Sequence, residues 1–342
     1  MTVQELKAKI KSGAVSGFYI LAGEEDYLKN HYRAELHRTV VTDEAFETFN
    51  YTSFDGIEMN IAALRDALMA PPMMADYKLV EWRGADLDKM KEGERTELLR
   101  LAEAKEDYPY AVLVIIPLAD GFDTGTEKRP SKLYNRLAEH FDVVLFPKST
   151  DAQLIGWLRK HFEAEGVRAE GEALSALLFR SGRSMQILHS EVEKLCSYAK
   201  AHGRAEISTA DVNEIASSTV ECDAFAISNA IIEKNMEKAF LALTDMKLRR
   251  VEPQAVLAQL ARTYSDLVSI SLLVDEGRDA DTIARLTGHH PFRLKLYMGA
   301  AKKMGTKNLS DSLARLIKVD SASKFGGTAG YKAIEMFITQ NI

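Results

Sequence analysis

The stretch Phe18-Tyr19-Ile20-Leu21-Ala22-Gly23-Glu24-Glu25-Asp26-Tyr27-Leu28-Lys29 decides how this chain is read. An apolar strand runs into one glycine and then into a helix opening at Glu24-Glu25-Asp26. A nucleotide-binding α/β domain places its phosphate loop at this point. Such a loop needs the pattern G-x-x-x-x-G-K-[ST], so that backbone N–H groups and a lysine cradle the phosphates. Here Gly23 is followed by three carboxylates and no second glycine. Carboxylates suit the positive end of a helix dipole but repel a triphosphate.

Two further parts of a nucleotide hydrolase are also missing. A second strand should end in acidic residues that hold magnesium and polarise water. The candidate, Leu113-Val114-Ile115-Ile116-Pro117-Leu118-Ala119-Asp120, has Pro117 at the strand end and Asp120 several residues beyond. A helical lid often supplies an arginine from a G-x-x-R turn. The corresponding Gly182-Arg183-Ser184-Met185 has a methionine at that position. Three absences together argue against nucleotide hydrolysis and imply no catalytic residues.

Working outward, the first 146 residues alternate strands and helices. Strands are expected at Gly17–Ala22, Lys78–Trp82, Tyr110–Ile116 and Val143–Phe146. Ala111 to Ile116 is apolar on both faces, as in a buried parallel strand. Leu28, Tyr32 and Leu36, and then Ile61, Leu64 and Leu68, recur at helical spacing. This predicts a mostly parallel sheet covered by helices. After Pro147 the strands are expected to stop. A capping box at Thr150 to Gln153 opens a four-helix segment over 147–215. Its apolar stripes are Leu154/Leu158/Phe162, Leu174/Leu177/Leu178 and Met185/Leu188/Val192/Leu195. The remainder, 216–342, reads as helical throughout, with helices at Ala224–Lys234, Met236–Leu248, Pro253–Glu276, Asp279–Thr287, Pro291–Met304, Leu309–Lys318 and Thr328–Thr339.

Composition bounds the function classes. The chain has 342 residues, 27% charged and 46% hydrophobic, with a net charge of −6. From Arg293 onward the balance is +6, so the rest carries −12. That total disfavours duplex binding by the chain as a whole, although the basic C-terminal part suits a nearby phosphate backbone. The sequence has no membrane-length apolar run, and Met1 to Lys7 lacks the core of a signal peptide, which points to a cytoplasmic protein. Cys196 and Cys222 lack C-x-x-C spacing and read as reduced thiols rather than as a disulfide or zinc site. His289-His290 would need further metal ligands that do not accompany them, and Gly326-Gly327 reads as a turn. Asp281 to Gly288, followed by a Pro291-led helix, has helix-turn-helix rhythm. Leu294 and Tyr297 nevertheless read as core rather than as base contacts, so two packed helices are the preferred reading.

One segment invites a partner. Pro71-Pro72-Met73-Met74 follows the amphipathic helix ending at Met69, and the two prolines stop that helix. Two consecutive methionines in a non-helical stretch do not share one small pocket easily. Either they sit exposed as an adaptable apolar contact or they pack beneath the sheet.

Taken in order, the motifs resemble the bacterial DNA polymerase III delta-subunit family. Phe18 to Leu28 is similar to its apolar strand followed by G-E-[ED]-x-[YF]-L. Pro72-Met73-Met74-Ala75-Asp76-Tyr77-Lys78-Leu79-Val80 is similar to P-F-F-x-x-x-[KR]-L-V. Glu191-Val192-Glu193-Lys194-Leu195 and Ile207-Ser208-Thr209-Ala210-Asp211-Val212 resemble motifs of the family's lid. Ile283 to Lys295, with Leu286 one position early, and Asp320 to Lys324 resemble motifs of its collar. The resemblance implies an AAA+-like α/β domain over 1–146, a helical lid over 147–215 and a helical collar over 216–342. It implies a clamp-loader subunit without ATPase activity, cofactor or metal, which joins gamma/tau and delta-prime subunits and opens the sliding clamp (beta). It assigns clamp binding to Met73 and Met74, flanked by Pro72 and Leu68, and sets Lys324 and Phe325 near primed DNA. The family more often carries aromatic or leucine residues where this chain has its methionine pair.

Overall fold

The computed structural model describes residues 1–126, 128–324 and 330–342. The chain divides into two compact units, Met1–Ser149 and Thr150–Ile342. In the first, the elements run α1 (Val3–Ser12), β1 (Gly17–Ala22), α2 (Asp26–Val40), α3 (Glu47–Asn50), β2 (Tyr51–Asp55), α4 (Ile61–Met69), β3 (Lys78–Ala85), α5 (Glu92–Glu103) and β4 (Ala111–Pro117). A short antiparallel pair, β5 (Gly125–Thr126) and β6 (Arg129–Pro130), then precedes α6 (Lys132–Ala138) and β7 (Asp142–Leu145).

Five of these strands form one parallel sheet in the order β2-β3-β4-β1-β7. Its side chains divide by the two-residue strand period. Phe18, Ile20, Val80, Trp82, Leu113 and Ile115 face one way, against Leu64 and Leu68 of α4 and Leu98 of α5. Tyr19, Leu21, Leu79, Val112 and Val114 face the other way, against Leu6 of α1 and Leu36 of α2. Burial on both faces explains why β1 and β4 read as continuous apolar runs. Each large aliphatic buried in this way contributes about 1.5–3 kcal/mol. The most deeply buried charge is Glu81 of β3, fully buried, which accepts from Arg33 of α2 at 3.1 Å and from the Tyr51 hydroxyl at 2.9 Å.

The structure corrects several expectations here. A fifth strand, β2, pairs with β3 from Tyr51 to Asp55. It lies at the sheet edge and is half exposed, so it lacks the apolar signature of its neighbours. The helix after β1 begins at Asp26, with Glu24 and Glu25 in the turn before it. Leu68 is fully buried in the core, so it presents nothing to a partner.

The second unit contains α7 (Asp151–Ala164), α8 (Gly171–Ser181), α9 (Met185–Ala201) and α10 (Thr209–Ile215), then α11 (Val220–Ile232), α12 (Met236–Leu248), α13 (Pro253–Asp275), α14 (Ala280–Thr287), α15 (Pro291–Met304), α16 (Thr306–Lys324) and α17 (Tyr331–Thr339). The strands do not stop at Pro147. β8 (Arg168–Ala169) and β9 (Glu206–Ile207) form a two-residue parallel pair, too short to leave a periodic trace. The expected start of the last helix at Thr328, and Gly326-Gly327, lie outside the described residues. The apolar stripes expected on α7, α8 and α9 are all buried.

Of the expected segments 147–215 and 216–342, all but residues 147–149 lie in this one unit. Phe179 of α8 packs edge-on against Phe225 of α11 at 5.7 Å and tilts against Phe292 of α15 at 6.3 Å. The 23-residue α13 runs through the larger core, burying Val256, Leu260, Tyr264, Leu267 and Ile270. The cysteines sit buried in α9 and α11, and burial pushes both thiols up to about 11.

Helix α10 is held by its own cap. Ser208 Oγ accepts from the Asp211 N–H, and Asp211 accepts from the Ser208 N–H at 2.8 Å. Asp211 also takes two bonds from Arg204, at 2.6 and 2.7 Å. Those donors hold its carboxyl well below the usual carboxylate range. A depressed folded value means stability that is present above the unfolded value and lost as pH falls through the folded one. Asp211→Asn is therefore expected to cost about 1–2 kcal/mol at pH 7. In urea melts followed by helical circular dichroism, the gap from wild type should hold above about pH 5 and narrow as pH falls below 4.

Candidate functional site

Two places in the first unit bear on function: the crevice at the strand ends and the loop before β3. The crevice lies at the C-terminal ends of β1, β4 and β7, with a volume of about 510 Å³. Open α/β sheets bind ligands at such a point. Here the backbone is already committed. The Phe146 N–H donates to Ala22 O at 2.7 Å, and the Glu25 N–H donates to Phe146 O at 3.0 Å. The turn passes so close to β7 that a Cβ on Gly23 would overlap the Phe146 backbone, and Gly23 holds φ +114°.

The side chains around the crevice are acidic. Glu24, Asp120 and Asp123 line it, and the described lining residues include no lysine or arginine. Glu24 pairs with Lys148 at 2.9 Å. Burial pushes the Glu25 carboxyl up. Lys29, on the first turn of α2, is buried and paired with Asp26 at 2.8 Å. In the second unit, Arg183 pairs with Asp151 at 3.1 Å, Ser184 caps α9, and Met185 is buried.

The second place is an exposed apolar loop. Helix α4 ends at Met69 because Pro71 and Pro72 supply no N–H and push the preceding residue out of helical geometry. The Tyr110 hydroxyl donates to Met69 O at 2.9 Å. Four residues on, Asn50 grips the chain. Its Nδ2 donates to Met73 O at 2.8 Å, and its Oδ1 accepts from the Met73 N–H at 2.7 Å. Met74 then takes φ +55°, a left-handed conformation that non-glycine residues rarely hold. The side chains this leaves in solvent are Met69 at 57% exposure, Met73 at 43% and Met74 at 83%. Pro72 is half-buried beside them.

Of the residues picked out in the sequence, Met73 and Met74 are therefore exposed and Pro72 flanks them, while Leu68 faces the core. Reading by sequence missed Met69 and Asn50. The stop imposed by the two prolines locates Met69 on the last helical turn. Asn50 lies 23 residues from its partner, and no local pattern announces it. Lys324 is exposed on α16 and pairs with Asp320 at 2.6 Å; Phe325 lies outside the described residues.

The other motifs serve structure. Leu294 and Tyr297 are buried, so α14 and α15 form a packed pair. His289 lies edge-on to Tyr297 at 5.6 Å and 3.5 Å from Asp266, while His290 caps α15. Among the described residues no group of three or more His, Cys, Asp or Glu is placed to hold a metal ion. No helix among them is long and apolar enough to cross a membrane.

A five-stranded parallel sheet in the order β2-β3-β4-β1-β7, with helices on both faces, and a large helical unit after it define an open-sheet α/β protein with a helical second part. The sequence profile of "DNA polymerase III, delta subunit" matches residues 19–143, and that of "DNA polymerase III delta subunit, C-terminal domain" matches residues 221–341. The chain belongs to the DNA polymerase III delta-subunit family. It is 24% identical over 338 residues to DNA polymerase III subunit delta of Bacillus subtilis, spanning 97% of this chain and 94% of that protein. It is also 24% identical over 339 residues to a probable DNA polymerase III subunit delta of Aquifex aeolicus, spanning 95% and 91%. Among solved structures, the Bacillus subtilis DNA clamp loader delta protein superposes with a TM-score of 0.59 at 22% identity, covering 99% of this chain and 98% of that one.

Because the turn has no room for a side chain, Gly23→Ala should destabilise the first unit by about 3 kcal/mol or more, read as a lower denaturation midpoint. Met73→Ala with Met74→Ala removes only exposed side chains. The double variant should keep its unfolding free energy within about 0.5 kcal/mol of wild type.

Proposed function

We propose that this chain is the delta subunit of a DNA polymerase III clamp loader, which binds the sliding clamp through the Met69–Met74 loop and helps to open it. The observation that carries this reading is the methionine pair. Two adjacent, flexible, polarizable side chains stand in solvent on a backbone held by hydrogen bonds. Met suits an apolar pocket that must be filled without an exact shape match. A small cluster of such residues can carry most of the energy of an interface.

In this reading the subunit hydrolyses nothing. The occupied turn and the acidic crevice support a structural rather than a nucleotide-binding role for β1. The helical unit would join the gamma/tau and delta-prime subunits through residues 216–342, in a cytoplasmic replication complex. Lys324, in the net-positive segment from Arg293 onward, would lie near primed DNA in that assembly.

Opening a ring follows from differential affinity. A partner shifts the ring only by binding its open form better than its closed one. A full reversal from mostly closed to mostly open requires a difference of about 5.5 kcal/mol. The loop anchors the subunit, and nucleotide bound by other subunits exposes or hides it.

Binding of the full chain to purified sliding clamp tests the reading. Met73→Ala with Met74→Ala should weaken it at least ~100-fold, the scale of a two-residue hot spot. Wild-type affinity in that variant contradicts the assignment. In calorimetry the chain should give no saturable heat with Mg-ATP. Micromolar ATP binding lost on Glu24→Ala or Lys29→Ala would support a divergent nucleotide hydrolase instead.

A further inference from the structure

We propose that Asn50 is the positioning residue of the methionine loop: it sets the conformation in which Met73 and Met74 meet a partner. The proposal rests on the reading of that loop as the clamp contact. Asn50 ends α3, next to β2, and is 3% exposed. A carboxamide offers one donor and one acceptor side by side, as a peptide unit does. Asn50 uses both on one residue, through Nδ2 to Met73 O at 2.8 Å and from the Met73 N–H to Oδ1 at 2.7 Å. It thus stands in for a neighbouring strand at a point where the chain has none. Residues 70–77 belong to neither helix nor strand, and Pro71 and Pro72 bring no N–H of their own.

The next residue shows what this grip sustains. Met74 keeps φ +55° with its side chain 83% exposed, so packing of its own side chain contributes little to holding it there. Such a conformation persists only where the surroundings over-determine it. The restraints are the Asn50 pair on Met73 and the Tyr110 hydroxyl on Met69 O at 2.9 Å. Both act on backbone atoms and leave the methionine side chains free for a partner. Asn50 therefore raises the fraction of molecules whose loop is ready to bind, without touching the partner.

This division of labour has a kinetic signature. Loss of a contact side chain acts mainly on dissociation. Loss of a positioning group lowers the competent fraction, and the apparent affinity falls by that fraction through the association rate. The test uses the full chain and purified sliding clamp in surface-binding kinetics, with wild type, Asn50→Ala, Asn50→Asp and the Met73→Ala/Met74→Ala double variant. Asn50→Asp keeps the volume and the acceptor but cannot donate to Met73 O as a carboxylate, so it serves if Asn50→Ala fails to fold. Both Asn50 variants should associate roughly tenfold more slowly, with dissociation within about twofold of wild type. In the free chain, hydrogen exchange at the Met73 amide should accelerate in Asn50→Ala. Wild-type association rates, or unchanged Met73 exchange, overturn the role of Asn50. If the methionine double variant loses binding while both Asn50 variants associate normally, Asn50 alone is misassigned. If the methionine double variant binds as wild type does, the contact itself is misassigned.

Discussion

The architecture turns on the seam between the end of β1 and the end of β7. Gly23 lets the chain lie directly on Phe146, and the two strands continue their pairing through Phe146 N–H to Ala22 O and Glu25 N–H to Phe146 O. A phosphate loop needs this same stretch of backbone to bow outward, with its N–H groups free to face an anion. Here the Phe146 and Glu25 N–H groups are already bonded within the chain. Once the seam is closed, the positive end of α2 faces its own carboxylates, and the crevice beside it takes on an acidic lining. Beside this seam the parallel sheet carries other things.

What it carries is the loop between α4 and β3. Both of these elements are anchored in the core, α4 through Ile61, Leu64 and Leu68, and β3 through Leu79, Val80 and Trp82. The short connection between them is held at its start by the Tyr110 hydroxyl on Met69 O and near its middle by the Asn50 pair on Met73. Apolar side chains therefore stand in water without loosening the fold beneath them. As the contact proposed above, such a preorganised apolar loop would lose little conformational freedom on binding.

Much of this was legible in the sequence, for physical reasons. Strands β1 and β4 are buried on both faces, so their apolar runs identify them directly. The stripes Leu154/Leu158/Phe162 and Met185/Leu188/Val192/Leu195 follow the helical period and are buried as that period requires. Strand β2 was not legible, because Tyr51-Thr52-Ser53-Phe54-Asp55 sits at an edge with mixed exposure. Nor was the β8–β9 pair, at two residues per strand. At the site, adjacency alone brought Met73 and Met74 to notice but left exposure and burial equally open. The paired backbone at Met73 settles that for exposure. Leu68 belongs to the same helical stripe as Leu64, and the stripe faces inward. Asn50 was invisible because its role is a contact between residues distant in sequence. Several family-like motifs turn out to be internal fastenings: Asp211 caps α10, and Glu191 accepts from the Ser217 N–H at 3.1 Å.

Hydrogen–deuterium exchange across the whole chain, with and without purified sliding clamp and with and without Mg-ATP, tests the central claim most directly. The account predicts that clamp slows exchange over residues 69–77 while Mg-ATP leaves residues 22–26 and 117–125 unchanged. Protection of those strand-end residues by Mg-ATP, with residues 69–77 indifferent to clamp, would contradict it.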